Sequence, residues 1–159
     1  MLMVTYGLPS TLRRKRKLRT SRIKCIQIMS DASEINDSIE KLIRQKCGRM
    51  GVLPNGWHLF SFHGRHFIYE SDGKGLLQFG IPYLMDSERY DMESVILAIN
   101  DTNCRMRFIK AVLLDNGVVA LTYDYMVMGA EHLGMVADHI IDTLDRAADY
   151  FLGKFPTHN

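Results

Sequence analysis

Short, glycine-containing separators between apolar runs constrain the fold of this chain more than any other feature. Separators at residues 63–64 and 71–75 lie between apolar runs at 57–62, 65–70 and 76–84. Loops this short fit β-hairpins and leave no room for the helix that joins two parallel strands. The three runs therefore predict three consecutive antiparallel strands.

A further hairpin is predicted later in the chain, at Asp115, Asn116 and Gly117. These residues separate apolar runs at about 104–114 and 118–128. Asn-Gly tolerates the positive φ angles that a tight hairpin requires. The pair brings the predicted number of strands to five.

Three amphipathic helices are predicted around these strands. The first begins near residues 31–34, where acids and a hydroxyl can accept bonds from free backbone N–H groups, and ends at Gly48 and Gly51. The second begins near residues 86–88 and runs to about residue 100, and the last is closed by Gly153 and Pro156. Their apolar positions, at spacings near 3.6, are Ile35, Ile39, Leu42, Ile43 and Met50, then Met92, Val95, Ile96 and Ile99, then Leu133, Val136, Ile140, Leu144, Ala147, Ala148 and Phe151.

The predicted order is αβββαββα, an α+β fold with an antiparallel five-stranded sheet flanked by helices. One domain over residues 29–159 is expected, since 159 residues is a common length for a single domain. No apolar run reaches the roughly 18 residues needed to cross a bilayer, so a membrane span is not predicted. Three widely spaced cysteines, Cys25, Cys47 and Cys104, give no disulfide framework and favour reduced thiols in the cytoplasm.

Charge divides the chain into two parts of opposite sign. Residues 1–30 contain eight lysines and arginines and no acid, whereas the remainder has 12 basic and all 18 acidic residues, a net charge of −6. We interpret residues 1–28 as a disordered basic tail, because the run at 13–17 repels itself. The alternatives are a tether to nucleic acid or acidic membrane, and an over-extended start with Met29 as the initiator.

The stretch from Asn100 to Asp149 and the order of the elements resemble the YbjN family, which is similar in fold to type III secretion chaperones. The matching positions are Asn100, Asn103, Arg107, Phe108, Asp115, Gly117, Tyr123 and Asp124. The resemblance implies a small, often dimeric bacterial domain with a regulatory or chaperone-like role and no enzymatic activity. The basic tail departs from the secretion chaperones, and nothing in the chain identifies a secreted client.

Reactive chemistry has little support in the sequence. His63 and His66 flank a predicted turn without the third ligand that zinc needs, so we expect two solvated histidines and no metal. Residues 73–75, Gly-Lys-Gly, lack the spacing of a phosphate loop, and no cysteine or serine lies in a catalytic motif. We therefore predict no cofactor and no catalytic residue.

Protein binding is the function that we predict, with a homodimer expected. Trp57, Phe60 and Phe62 place bulky side chains on both faces of the first strand, so a helix is expected on one face and a partner on the other. In the last strand, alternate residues from Val119 to Val127 form the core face, and the opposite face includes Met126 and Met128. The predicted anchors for an apolar or extended client segment are Trp57, Phe60, Phe62, Met126 and Met128.

Two further features admit two interpretations each. Met106, Met126 and Met128 lie on predicted strands, where burial is favoured over an exposed, permissive binding surface. Four aspartates recur along the last helix, and a solvated face is favoured over a dock for a basic client. They are Asp138, Asp142, Asp145 and Asp149. The alternative function is a nucleic-acid-associated regulator that binds through the basic tail alone.

Overall fold

The computed structural model describes residues 32–72, 75–128 and 132–156. The predicted tail at residues 1–28, with its proposed nucleic-acid contact, lies outside these residues. The elements are α1 (Ala32–Cys47), β1 (Met50–Val52), β2 (His58–Phe62), β3 (Arg65–Ser71), β4 (Leu76–Asp86), α2 (Met92–Arg105), β5 (Ile109–Leu113), β6 (Val118–Met126) and α3 (Leu133–Leu152), with a short 3-10 turn at Ser87–Arg89.

The sheet is antiparallel throughout and has six strands in the order β1-β2-β3-β4-β6-β5. The α+β class and the antiparallel pairing are thus confirmed, but the prediction of five strands is wrong. The sequence pattern does not predict β1, because Met50 continues the apolar spacing of α1 and is expected in that helix. Three residues around Gly51 are also too few to show an alternating pattern.

All three predicted strand pairs form, and the turns at residues 63–64 and 115–117 use the expected residues in different ways. His63 and Gly64 both have positive φ, 48° and 78°, as a two-residue hairpin loop requires. In the hairpin at residues 115–117 only Gly117 has positive φ, 76°, and the side-chain oxygen of Asn116 accepts a bond from the Val118 N–H. The adjoining strand begins at Ile109, later than predicted, because α2 continues to Arg105.

All three helices bury their apolar residues against the same face of the sheet, which we call the inner face. α1 contributes Ile35, Ile39 and Ile43, which lie in one core cluster with apolar residues of α3 and with alternate residues of five strands. α2 contributes Val95 and Ala98 to a second cluster, which contains Met85, Val119, Phe151 and Phe155. The opposite side of the sheet, which we call the outer face, contributes no residue to either cluster.

The aspartates of α3 bind basic side chains of the chain itself. Asp138, Asp142 and Asp149 are also exposed to solvent, as the favoured interpretation predicts, whereas Asp145 is largely buried. Lys46 donates hydrogen bonds of 2.6 Å to Asp138 and to Asp142. Arg65 binds both Asp145 and Asp149, and His63 Nδ1 lies 2.7 Å from Asp145 Oδ2. The acidic stripe therefore connects α3 to the end of α1 and to the β2–β3 hairpin.

Asn103 covers one edge of the sheet. Its amide donates to the carbonyl oxygen of Ala111 and its side-chain oxygen accepts from the Ala111 N–H, at 3.1 and 2.7 Å. These groups belong to the edge strand β5, where they would otherwise be open to another strand. Asn103, one of the positions of the YbjN resemblance, thus has a structural role in this chain.

Candidate functional site: the outer face of the sheet

The outer face is built from the alternate residues that point away from the helices. Cross-strand pairing aligns Gly51, Leu59, Ile68, Gly80, Thr122 and Lys110 in one row across all six strands. A second row contains Glu70, Gln78 and Asp124, and a third pairs Leu76 with Met126. Among the described residues, none of the helices α1, α2 and α3 packs on these rows, so they leave this part of the outer face uncovered.

Apolar side chains occupy much of this open face. Leu59, Ile68 and Val112 are half-buried by their neighbours within the sheet. Leu76 and Met126, which are direct cross-strand partners, are 39% and 60% exposed. Single exposed apolar residues are common on protein surfaces, whereas contiguous apolar patches mark interaction sites, and Leu76 and Met126 lie side by side.

Gly80 forms a low point in the middle of the outer face. A Cβ atom built there would lie 2.9 Å from the carbonyl oxygen of Leu121, so no other side chain fits without a backbone shift. The same Cβ would meet Thr122 and Ile68 at 3.7 and 3.8 Å, which places their side chains on either side of the glycine. The sheet therefore presents a shallow notch between these two side chains.

A hydrogen-bonded polar group lies beside the apolar pair. Gln78 donates to Asp124 over 2.7 Å, and Lys110 donates to the other carboxylate oxygen of Asp124. The bond from Lys110 first, and that from Gln78 second, hold the pKa of Asp124 below its ordinary value. Asp124 is therefore ionised and paired at neutral pH.

The five predicted anchor residues differ in how exposed they are in the structure. Phe60 is 2% exposed, and Phe62 is half-buried against Phe67 and the Lys46 ammonium. The prediction of Phe60 as a partner anchor is wrong, because strand alternation points it to the inner face, where the helices cover it. Trp57 is half-buried just before β2.

Met126 and Met128 are accessible, at 60% and 74% exposure. The favoured prediction that these methionines are buried is wrong for both, and the alternative of an exposed methionine surface describes them. Met106 is half-buried against the core. Met126 lies on the outer face, as predicted for the mixed face of the last strand.

Leu76, Ile68 and Gly80 complete the outer face and were not predicted as site residues. The signal that could have found them is the pairing register, because it brings Leu76 opposite Met126 and Ile68 opposite Gly80. That register depends on which strands are neighbours in the sheet. β4 is paired with β6, although α2 and β5 lie between these two strands in the sequence.

The predicted turn histidines bind protein groups. His63 contacts Asp145 as described above, and His66 Nδ1 lies 3.0 Å from the Ser61 hydroxyl. Within residues 32–72, 75–128 and 132–156, no set of three or more histidine, cysteine or acidic side chains is arranged to hold a metal ion. In the same residues, no helix combines the length and apolar character needed to cross a membrane.

Comparison with known proteins gives no further identification: no protein-family model matches the chain, and no curated protein is significantly similar to it.

Proposed function

We propose that this chain is a non-enzymatic protein-binding module that holds an apolar, extended segment of another protein on the outer face of its sheet. The observation that carries the proposal is the exposed Leu76–Met126 pair on a face that none of the described helices α1, α2 and α3 covers. The YbjN resemblance favours the same class of function, with a chaperone-like or regulatory role. The free thiols of Cys47 and Cys104 suit the reducing cytoplasm in which we propose that it acts.

Side-chain contacts, rather than strand addition at β5, would provide the binding energy. Asn103 occupies the backbone groups of Ala111 at that edge, and β1 at the other edge is only three residues long. Covering a fully exposed leucine or methionine side chain contributes about 1.5–3 kcal/mol, and less for a side chain already partly covered. Met126 has an unbranched thioether that adapts to partners of different shape, which favours a permissive surface.

The proposal predicts that a Leu76→Ser, Met126→Ser double variant of the full chain binds an unfolded client more weakly. Loss of two anchors should raise the Kd of reduced, alkylated lysozyme about tenfold or more, because roughly 1.4 kcal/mol corresponds to a factor of ten. Fluorescence anisotropy measures the Kd, and Val52→Ser, at an exposed position on β1, is the matched control. Unchanged binding by the double variant, with its circular dichroism intact, would refute the proposal.

We also propose that the chain forms a homodimer through α2. Met92, Ile96 and Leu97 are exposed on this helix, Leu97 by 60%, which is unusual for an amphipathic helix whose opposite side packs on the sheet. A Leu97→Asp, Ile96→Asp variant is therefore expected to be monomeric where the unaltered chain is dimeric. Light scattering after size-exclusion chromatography gives both masses, and a monomeric unaltered chain at high micromolar concentration would end this proposal.

A further inference from the structure

We infer that the basic N-terminal segment of this chain, residues 1–28, docks on the exposed side of α2 and there excludes the second copy of the chain. This inference rests on the proposed homodimer and deepens it by naming what regulates dimerisation. It is carried by the match between the positive charge of the segment and the negative charge around the exposed apolar residues of α2.

The exposed side of α2 places apolar side chains around a carboxylate. Met92, Ile96 and Leu97 are 46%, 48% and 60% exposed, and Glu93 is exposed beside them. Glu93 precedes Ile96 by three residues and Leu97 by four, and residues at these spacings are neighbours on a helix surface. A segment that carries both apolar and basic side chains therefore finds partners for both on this side of α2.

More carboxylates surround the start of this helix. Asp91 accepts a hydrogen bond of 2.9 Å from the Ser94 N–H and so caps α2. Glu88 lies against the β5–β6 turn, since a Cβ atom built at Gly117 would be 3.6 Å from the Glu88 Cγ, and Asp115 belongs to the same turn. Five acids and one arginine, with a net charge of −4, make up this surface, which we call the acidic end: Asp86, Glu88, Arg89, Asp91, Glu93 and Asp115.

Other acidic surfaces carry cations of their own. The aspartates of α3 bind Lys46 and Arg65, and Asp124 on the outer face binds Lys110. A depression of about 440 Å³ over α1 is lined by two acidic residues, two basic residues and a glutamine, so its charges cancel. A basic segment is therefore attracted more strongly to the acidic end than to these surfaces.

Residues 1–28 have the charge that complements the acidic end. They contain eight lysines and arginines and no acid, and five of the eight are consecutive at residues 13–17. The 14 residues between Lys17 and Ala32, where α1 begins, can span up to about 50 Å, whereas a domain of this size has a radius of gyration of roughly 14 Å. The run at 13–17 can therefore reach the acidic end, and covalent attachment raises its effective concentration there to the order of millimolar.

Docking of the segment and dimerisation exclude each other, because both cover Met92, Ile96 and Leu97. Removing the charge of the run at 13–17 should therefore free α2 for the second copy. We expect a full-chain variant with all five residues of the run changed to glutamine to dimerise about tenfold more tightly than the unaltered chain, since several modest ion pairs are lost. Sedimentation equilibrium at low salt measures both dissociation constants, and the difference between them should shrink in 0.5 M salt.

Carbodiimide coupling locates the docked run directly. The reagent joins a lysine amine to a carboxylate that it contacts, and mass spectrometry identifies the joined peptides. In monomer separated from the unaltered chain, we expect Lys15 and Lys17 to be joined to Glu88, Glu93 or Asp115. Joining of these lysines mainly to carboxylates of α1 or α3 would overturn the inference.

Two matched backgrounds assign the effect to the acidic end. In a Glu88→Gln, Glu93→Gln background, neutralising the run should change the dimer dissociation constant by less than about threefold. A Glu34→Gln, Asp37→Asn background makes the same change in net charge at exposed positions of α1, and there the tenfold effect should persist. Equal effects in the two backgrounds would show a response to net charge alone, which contradicts docking at the acidic end.

The outcomes separate this inference from the proposed homodimer. A dimer of equal affinity with and without the charged run overturns the inference and retains the homodimer. Chains that stay monomeric at high micromolar concentration, with and without the charged run, end the homodimer proposal and the competition with it. Coupling of Lys15 and Lys17 to the acidic end in those monomers would still retain the docking of the segment.

Discussion

Replacing Phe60 with alanine is expected to lower the free energy of unfolding by about 3–5 kcal/mol. Phe60 is buried, stacks on Phe67 with ring centroids 5.4 Å apart, and lies beneath the helices of the inner face. Removing the ring leaves a cavity that the surrounding strands can close only in part. Urea denaturation followed by circular dichroism measures the change.

The matched control for Phe60 is Met126→Ala on the outer face. Because Met126 is exposed, its replacement should alter the free energy of unfolding by no more than about 0.5 kcal/mol, while it weakens client binding. Phe60→Ala should show the reverse pattern, with client affinity unchanged per folded molecule. A stable Phe60→Ala variant with weakened binding would mean that Phe60 acts as a partner anchor.

Replacing Arg65 with alanine is the second change with a large expected effect, a loss of about 2–4 kcal/mol in the free energy of unfolding. The side chains of Arg65 and Asp145 are 22% and 10% exposed, so removing the guanidinium leaves a largely buried carboxylate with His63 as its remaining side-chain partner. Burial acts to lower the pKa of Arg65, but its bonds to Asp149 and Asp145 outweigh that effect and raise it. Arg65 therefore stays charged throughout the usual pH range.

Two comparisons test this explanation of the Arg65 effect. Arg65→Lys keeps the charge but loses the planar fork that reaches Asp145 and Asp149 together, so it should lose less stability than Arg65→Ala. Arg105→Ala removes an exposed partner of Asp101 on α2 and should cost no more than about 0.5 kcal/mol. Equal stability of Arg65→Ala and Arg105→Ala would contradict the structural role of the α3 aspartates.

Local sequence patterns were sufficient to predict the helices and strands whose apolar residues recur at one regular spacing. Ile35, Ile39 and Ile43 lie at helical spacing and are buried in α1, and the hairpin at Gly117 follows from a conformation that favours glycine. β1 lacked such a pattern. Its existence depends on pairing with β2, which gives three residues a place in the sheet that their own sequence does not indicate.

The binding surface was harder to predict because it depends on which face the helices cover. Alternation in β2 showed that Phe60 and Leu59 point in opposite directions, but not that α1 and α3 lie on the side of Phe60. The same limit applies to the aspartates of α3, whose partners Lys46 and Arg65 are 80 or more residues away in sequence. Contacts of that range follow from the tertiary arrangement and not from local periodicity.

The outer face as the client-binding surface is tested most directly by the methyl NMR signals of methionine in the full chain. Met126 reports on the outer face, Met92 on α2, Met135 on α3, and the buried Met85 on the core. On addition of reduced, alkylated lysozyme, we predict that the Met126 signal shifts or broadens first, while those of Met85 and Met135 stay in place. A Met126 signal that is unchanged at saturation, with Met92 or Met135 perturbed instead, would contradict the account.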